Sequence, residues 1–339
     1  CKKHELADDH ADEAAVEVQV LTDFANVLAN PTYKTLQAKA NELNMASQAL
    51  STSTTEANLT IARNAWRDTR APWESSECFL FGPAADFNYD PAMDDWPVNR
   101  TDMDSLLASS NPLTLSSIDA LPTTLKGFHA IEYMLFGNGG SKTAASFTAR
   151  EKLYLVSLTQ SLYNTTTALC NSWDAGQPGN FTNHLITAGN GSTYFGSRKD
   201  AFTTIVGAMA GICDEVANGK MQDPLIKQDS TLEESQFSHN STTDFRNNIS
   251  GILNAYMAIY TTDGHGLNEI VAAKNLSLDN TIQSQISAAV GSLNSIGSNY
   301  GAAIYTQQVQ IHNAQAAINT LKTTLEKDLM DFVQINIKD

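Results

Sequence analysis

Gly127-Phe128-His129-Ala130-Ile131-Glu132-Tyr133-Met134-Leu135-Phe136-Gly137 is the stretch from which the rest of the chain can be read. Pro122 precedes it, and Gly137, Gly139 and Gly140 close it. Proline ahead of a helix and glycine past its end are ordinary punctuation. Phe128, Ile131, Leu135 and Phe136 recur at three- and four-residue steps, which is one apolar helix face. His129 and Glu132 are three apart and share a side of that helix. An imidazole and a carboxylate so placed can grip one cation, as Glu-x-x-His pairs do in di-metal bundles. They can equally be a plain side-chain pair on a helix surface, and the spacing leaves both readings open.

The same periodicity extends outward from this stretch. Val16, Val20, Phe24, Val27 and Leu28 mark a helix ending near Asn30-Pro31. Leu36, Leu43 and Leu50 follow in heptad steps, and Leu59, Ala62, Trp66 and Trp73 mark a third helix with a bend expected at Pro72. Leu153, Val156, Leu162 and Leu169 fall in a long helix over 143–173. Asp174-Ala175-Gly176-Gln177-Pro178-Gly179-Asn180 is the best domain boundary. Beyond it, helices are expected over 194–219, from Ser241 or Thr242 to Tyr260, and over 268–275, 279–297 and 300–333. Residues 84–120, rich in Asp and Pro, read as irregular, and long irregular segments are usually functional or disordered. The expected fold is all-α: two helical bundles, four-helix-bundle-like, packed into one compact unit. Residues 1–9 would be a flexible tether, 10–175 the N-terminal bundle and 176–339 the C-terminal bundle.

A formal charge of −16, from 37 acidic and 21 basic residues, opposes nucleic-acid binding, because phosphates would be repelled. It is compatible with attracting cations. No apolar run approaches the roughly 20 residues that cross a bilayer. Neither a Gly-rich phosphate loop nor a nucleophile elbow occurs. The four cysteines form no Cys-x-x-Cys pair, and Cys170 and Cys213 are open to either a disulfide or two buried thiols. A chain opening Cys1-Lys2-Lys3 before a polar segment looks like a mature bacterial lipoprotein with its lipid on Cys1, although a chain start can also fall on cysteine by accident.

Acidic candidates recur elsewhere. Glu74 and Glu77 repeat the i, i+3 spacing among Trp66, Trp73 and Phe79. Asp94-Asp95-Trp96-Pro97 either brings carboxylates over a site or forms a solvated turn. His265, between two glycines, reads as a turn residue.

Three ordered blocks resemble the imelysin family. Gly127-Phe128-His129-Ala130-Ile131-Glu132 carries its Gly-x-His-x-x-Glu hallmark. Ser76-Glu77-Cys78-Phe79-Leu80-Phe81-Gly82-Pro83 is similar to its Ser-Glu-Ala-Phe-x-Phe-Gly-Pro segment, with Cys78 in place of a smaller residue. Glu234-Ser235-Gln236-Phe237-Ser238-His239-Asn240-Ser241 is similar to its Glu-Ser-x-Phe-Ser-x-Asn-Ser segment. The resemblance covers nearly the whole chain. It implies two helical bundles with a site between them, in a bacterial envelope lipoprotein linked to iron uptake, anchored at the outer membrane or on the periplasmic face.

By that resemblance His129, Glu132 and Glu77 are the metal residues and Glu234 and His239 further site residues, while Glu74 and Asp95 are additional candidates from the residues themselves. One imidazole with several carboxylates suits iron more than zinc. The implied partners are the metal ion, iron-transport proteins of the envelope and the membrane. Two alternatives stand beside this reading. One is a metallopeptidase of the insulin-cleaving type, for which the usual His-Glu-x-x-His helix is missing and the general base has no assigned residue. The other is a metal-free interaction module in which His129 and Glu132 only satisfy each other.

Overall fold

The computed structural model describes the backbone of residues 2–338 and the side chains of residues 13–338. The expected lipid on Cys1 lies outside the described residues, and the backbone of the expected 1–9 tether is helical from Lys2 onward. The main helices are α1 (Lys2–Asp23), α2 (Asn30–Thr52), α3 (Glu56–Ser76), α4 (Tyr89–Asp94), α5 (Gly127–Phe136), α6 (Ala149–Trp173), α7 (Arg198–Asp214), α8 (Ser241–Met257), α9 (Leu267–Leu293) and α10 (Gln308–Thr323). Among the described residues there is no β-strand, only an isolated bridge between Ile259 and Asp263.

Helices α2, α3, α5 and α6 pack as one bundle, and α7, α8, α9 and α10 as a second. Both cores are filled by the apolar faces anticipated from the sequence, among them Leu36, Leu43, Trp66, Ile249, Ile311 and Ile318, all fully buried. Short polar residues set where helices begin. Thr55 caps α3 by accepting from Asn58 N, and Ser197 caps α7 by accepting from Asp200 N. Thr148 and Glu151 form a reciprocal capping box on α6.

The bundles meet along α3 and α8. Gly251 makes this approach possible, since a Cβ there would fall 2.3 Å from the Ser75 carbonyl oxygen. Helix α1 crosses the expected division: it continues into α2 through a π-helical turn, Phe24–Ala29, yet packs against α7 and α9 of the second bundle.

One local expectation differs from the structure. The 84–120 segment contains short helices, Pro83–Asp86, α4, Arg100–Ala108 and Leu115–Asp119. There Asn99 and Thr114 act as N-caps. Pro72 lies inside α3, which runs on to Ser76. Cys170 and Cys213 are buried free thiols, as is Cys78.

Candidate metal centre

Helix α5 enters the protein through Gly127, at φ +80°, where a Cβ would lie 2.2 Å from the Met93 carbonyl oxygen. Only glycine combines that backbone conformation with that approach. Its presence therefore sets the end of α4, and with it Asp94, directly against the start of α5. Trp66 Nε1 on α3 donates to the Phe128 carbonyl at 3.0 Å, fixing the third element. His129 and Glu132 are consequently buried, at 1% and 0% exposure, rather than paired on a surface.

The two residues divide the imidazole between them. Glu132 Oε2 lies 3.1 Å from His129 Nδ1. Its other oxygen, Oε1, accepts from Phe237 N at 3.0 Å and from Ser238 N and Ser238 Oγ at 2.8 Å. Glu132 thus holds the ring by Nδ1 and anchors the 237–238 loop of the second half. The opposite ring nitrogen, Nε2, points to Asp94 Oδ1 at 3.1 Å and Glu234 Oε1 at 3.6 Å. Neither approach has hydrogen-bond alignment, so Nε2 is a buried polar atom without a hydrogen-bond partner. His129, Asp94 and Glu234 each offer one ligand atom within 4.8 Å of the others. Asp94, Glu74 and Glu77 form a second such trio.

Two cationic side chains lie in the same network. Arg70 on α3 is fully buried, over the Phe128 ring at 5.0 Å. Its guanidinium pairs closely with Glu74 and Asp94, and lies 3.3 Å from Glu234 and 3.7 Å from Asp244. Lys220 Nζ lies 2.9 Å from Glu77 and 3.3 Å from both Glu234 and Glu215. Asn248 of α8 donates to Glu74 Oε2 at 2.7 Å and to Glu77 Oε2 at 2.8 Å, so the seam between the bundles is stitched by the acid cluster itself.

The charges do not balance. Glu74, Glu77, Asp94, Glu132, Glu234 and Asp244 face Arg70, Lys220 and His129. Burial pushes the Glu74 carboxyl up to about 8 although Arg70 and Lys220 oppose it. Burial and then Glu74 raise Glu77 well above the carboxylate range. Burial lifts Asp244 to about 6 against Arg70. Burial works the other way on the next two groups and loses: Arg70 and then His129 hold Asp94 down, while Lys220 and then His129 hold Glu234 at about 2. His129 is held well above its usual range, against burial, by Asp94, Glu132 and Glu234. The cluster therefore retains protons where its own cations fall short, and a multivalent cation could replace them.

An open cleft of about 390 Å³ leads from solvent to this cluster, lined by Glu77, Asp90, Asp94, Glu215, Lys220 and Glu234 among others.

Of the residues singled out from the sequence, His129, Glu132, Glu77, Glu74 and Glu234 converge here. Glu132 takes a different part from the expected one: it faces Nδ1, away from the two trios, and its Oε1 is already occupied by three donors. Asp95 lines the cleft but accepts from Thr123 Oγ1, and its neighbour Asp94 occupies the position expected of it. His239 is turned elsewhere, at φ +56°, with its Nδ1 3.5 Å from Glu233. It lines a separate cavity of about 320 Å³. The sequence singles out Asp94 only together with Asp95, and it does not single out Arg70, Lys220, Asp244 or Asn248. The Arg70–Glu74 spacing of four was the available signal, since i, i+4 pairs of opposite charge meet on a helix.

Residues 29–327 match the family model described as Imelysin, a peptidase family by its label. The chain belongs to the imelysin family. It is 30% identical over 329 residues to the iron-regulated protein A of Synechococcus elongatus, spanning 95% of this chain and 88% of that protein. Among solved structures it is similar to a protein from Parabacteroides distasonis provisionally described as an iron-regulated protein A precursor, with a TM-score of 0.85, 26% identity, and 96% and 95% of the two chains covered. An imelysin-like protein from Psychrobacter arcticum shares the fold, with a TM-score of 0.76 at 14% identity over 96% and 98% of the chains. The imelysin hallmark residues Gly127, His129 and Glu132 are thus a close-approach glycine, the imidazole of the site and the carboxylate that orients it.

Proposed function

We propose that this imelysin-family protein binds an iron ion in the seam between its bundles and serves iron uptake in the bacterial envelope, handing the ion to a transport partner. His129 Nε2 and the carboxylates of Asp94 and Glu234 would hold the ion, while Glu132 orients the ring and Glu77 and Glu74 extend the oxygen-rich wall. The observation that carries this reading is the fully buried Nε2, without an aligned hydrogen bond, converging with two carboxylates beside an acidic cleft. One nitrogen and several oxygens suit iron, and also accept manganese or zinc. The names of the Synechococcus and Parabacteroides relatives support the choice of iron.

A hydrolytic reading has less support. A peptidase needs a carboxylate free to take a proton from water. Glu132 is spent on three donors, and Asp94 and Glu234 would be ligands rather than bases. Calorimetric titration with Fe²⁺ under anaerobic conditions tests the proposal. One ion per chain is expected, lost in His129→Ala and in Asp94→Asn. Equal affinity in both variants and the native chain would reject the site.

A further inference from the structure

Lys220 ends a π-helical turn, Glu215–Lys220, that projects over the cleft. Its ammonium lines that cleft beside Asp94 and Glu234 of the His129 trio. It touches Glu77 and Glu234 on the inner side at 2.9 and 3.3 Å, and Glu215 on the outer side at 3.3 Å. The inner carboxylates are nearly buried, whereas Glu215 is 57% exposed. Glu234 Oε1 is the same atom that faces His129 Nε2 at 3.6 Å. An ion coming through the cleft thus meets a tethered cation already seated on one of its ligand atoms.

We infer that Lys220 is the gate and charge filter of the metal site: an arriving cation displaces its ammonium from Glu234 and Glu77, and the ammonium remains paired to Glu215 at the mouth. This rests on the metal reading above. The exchange needs no covalent step. Two carboxylates change partner, and one outer ion pair is kept while two inner ones are released. Like-charge repulsion makes the tethered ammonium a threshold. A monovalent cation gains no more from Glu234 and Glu77 than the ammonium does, whereas a divalent ion gains about twice the attraction at the same distance. Lys220 would therefore favour multivalent ions over the abundant monovalent ones, and would close the site again when the ion leaves. Arg70 has no such freedom, being fully buried beneath Trp66 and Phe128.

The test uses Fe²⁺ as the probe and the reactivity of the lysine amine as the readout. The full chain is acetylated briefly with an amine-directed ester, with and without Fe²⁺, and Lys220 and Lys227 are quantified by peptide mass. Lys227 is 55% exposed and paired with Asp223, so it serves as the internal reference. Lys220 labelling is expected to rise at least about fivefold on loading while Lys227 stays constant, and His129→Ala should abolish the rise. Fe²⁺ binding with Lys220 still protected would overturn the gate and leave the metal site standing. Fe²⁺ binding that is unaffected by His129→Ala would sink the metal reading instead. Lys220→Met gives the second measurement. It should bind Fe²⁺ about tenfold more tightly and lose discrimination against a large excess of K⁺, because a charge at contact distance acts far more strongly than a distant one. Lys227→Met should change neither property. Equal effects from the two variants would mean general electrostatics rather than a gate.

Discussion

Replacing Glu132 separates two parts that sequence spacing cannot tell apart, metal ligand and orienting residue. In Glu132→Ala, Phe237 N, Ser238 N and Ser238 Oγ lose their shared acceptor inside the protein. A buried donor left without a partner costs about 1–3 kcal/mol, and the loop can relax to satisfy some, so a loss of about 3–6 kcal/mol is expected. For a chain of this size that lowers the melting temperature by on the order of 10 °C. Glu132→Gln keeps an acceptor oxygen for the loop, so its stability loss should stay below about 2 kcal/mol. An amide nevertheless cannot hold Nδ1–H as a carboxylate does. Losing such an orienting partner typically weakens metal affinity about 10–100-fold without abolishing it. Calorimetric melting and Fe²⁺ titration of the two variants measure both quantities. Affinity abolished in Glu132→Gln to the level of His129→Ala would make Glu132 a direct ligand and refute the division of the ring described here. A Glu132→Ala variant as stable as the native chain would refute the anchoring of the loop.

Arg70→Met should destabilise the protein by about 3–5 kcal/mol, measured by urea unfolding, because it strands buried carboxylates against one another. Arg70→Lys should rescue little of that loss, since the guanidinium reaches several carboxylates with a fixed fork. Gly127→Ala should cost about 3 kcal/mol or more and also weaken Fe²⁺ binding, because a Cβ against the Met93 carbonyl must push α4 and Asp94 away. The pH dependence follows from carboxyls whose folded pKa lies above the unfolded value, near 4. Between about pH 5 and 8 the folded metal-free protein holds protons on Glu74 and Asp244 that the unfolded chain has released, so its stability should fall as pH rises through that window. His129, also raised, acts in the same direction. Asp94 and Glu234, which are lowered, add stability that is lost only on acidification below about pH 4. Thermal melts across pH 4–9 check the profile, and proton release on Fe²⁺ binding in buffers of different ionisation enthalpy checks its link to the ion.

Helix periodicity carried most of the fold. Leu36, Leu43 and Leu50, the Trp66–Trp73 face and the Ile304–Phe332 stripe are buried or lie along buried helices because a 3.6-residue repeat records which side faces the core. The segment over 84–120 reads as irregular from its Asp and Pro, yet Asn99 and Thr114 there cap short helices. Within the site, the residues on the three ordered blocks were legible. The sequence offers Asp94 and Asp95 together, and no local pattern records that the helix end turns Asp94 to His129 while Asp95 accepts from Thr123. Lys220 and Asn248 come from helices distant in sequence and carry no motif. Glu132 shared the helix side of His129 as expected, yet spacing could not show which ring nitrogen it would face.

The most direct test of the central claim is diffraction from crystals of Fe²⁺-loaded protein, recorded on both sides of the iron absorption edge. The account expects one anomalous peak in the seam, about 2.0–2.3 Å from His129 Nε2 and from oxygens of Asp94 and Glu234. A peak beside His239, or loaded crystals in which Lys220 keeps its carboxylates and no iron signal lies near His129, would contradict it.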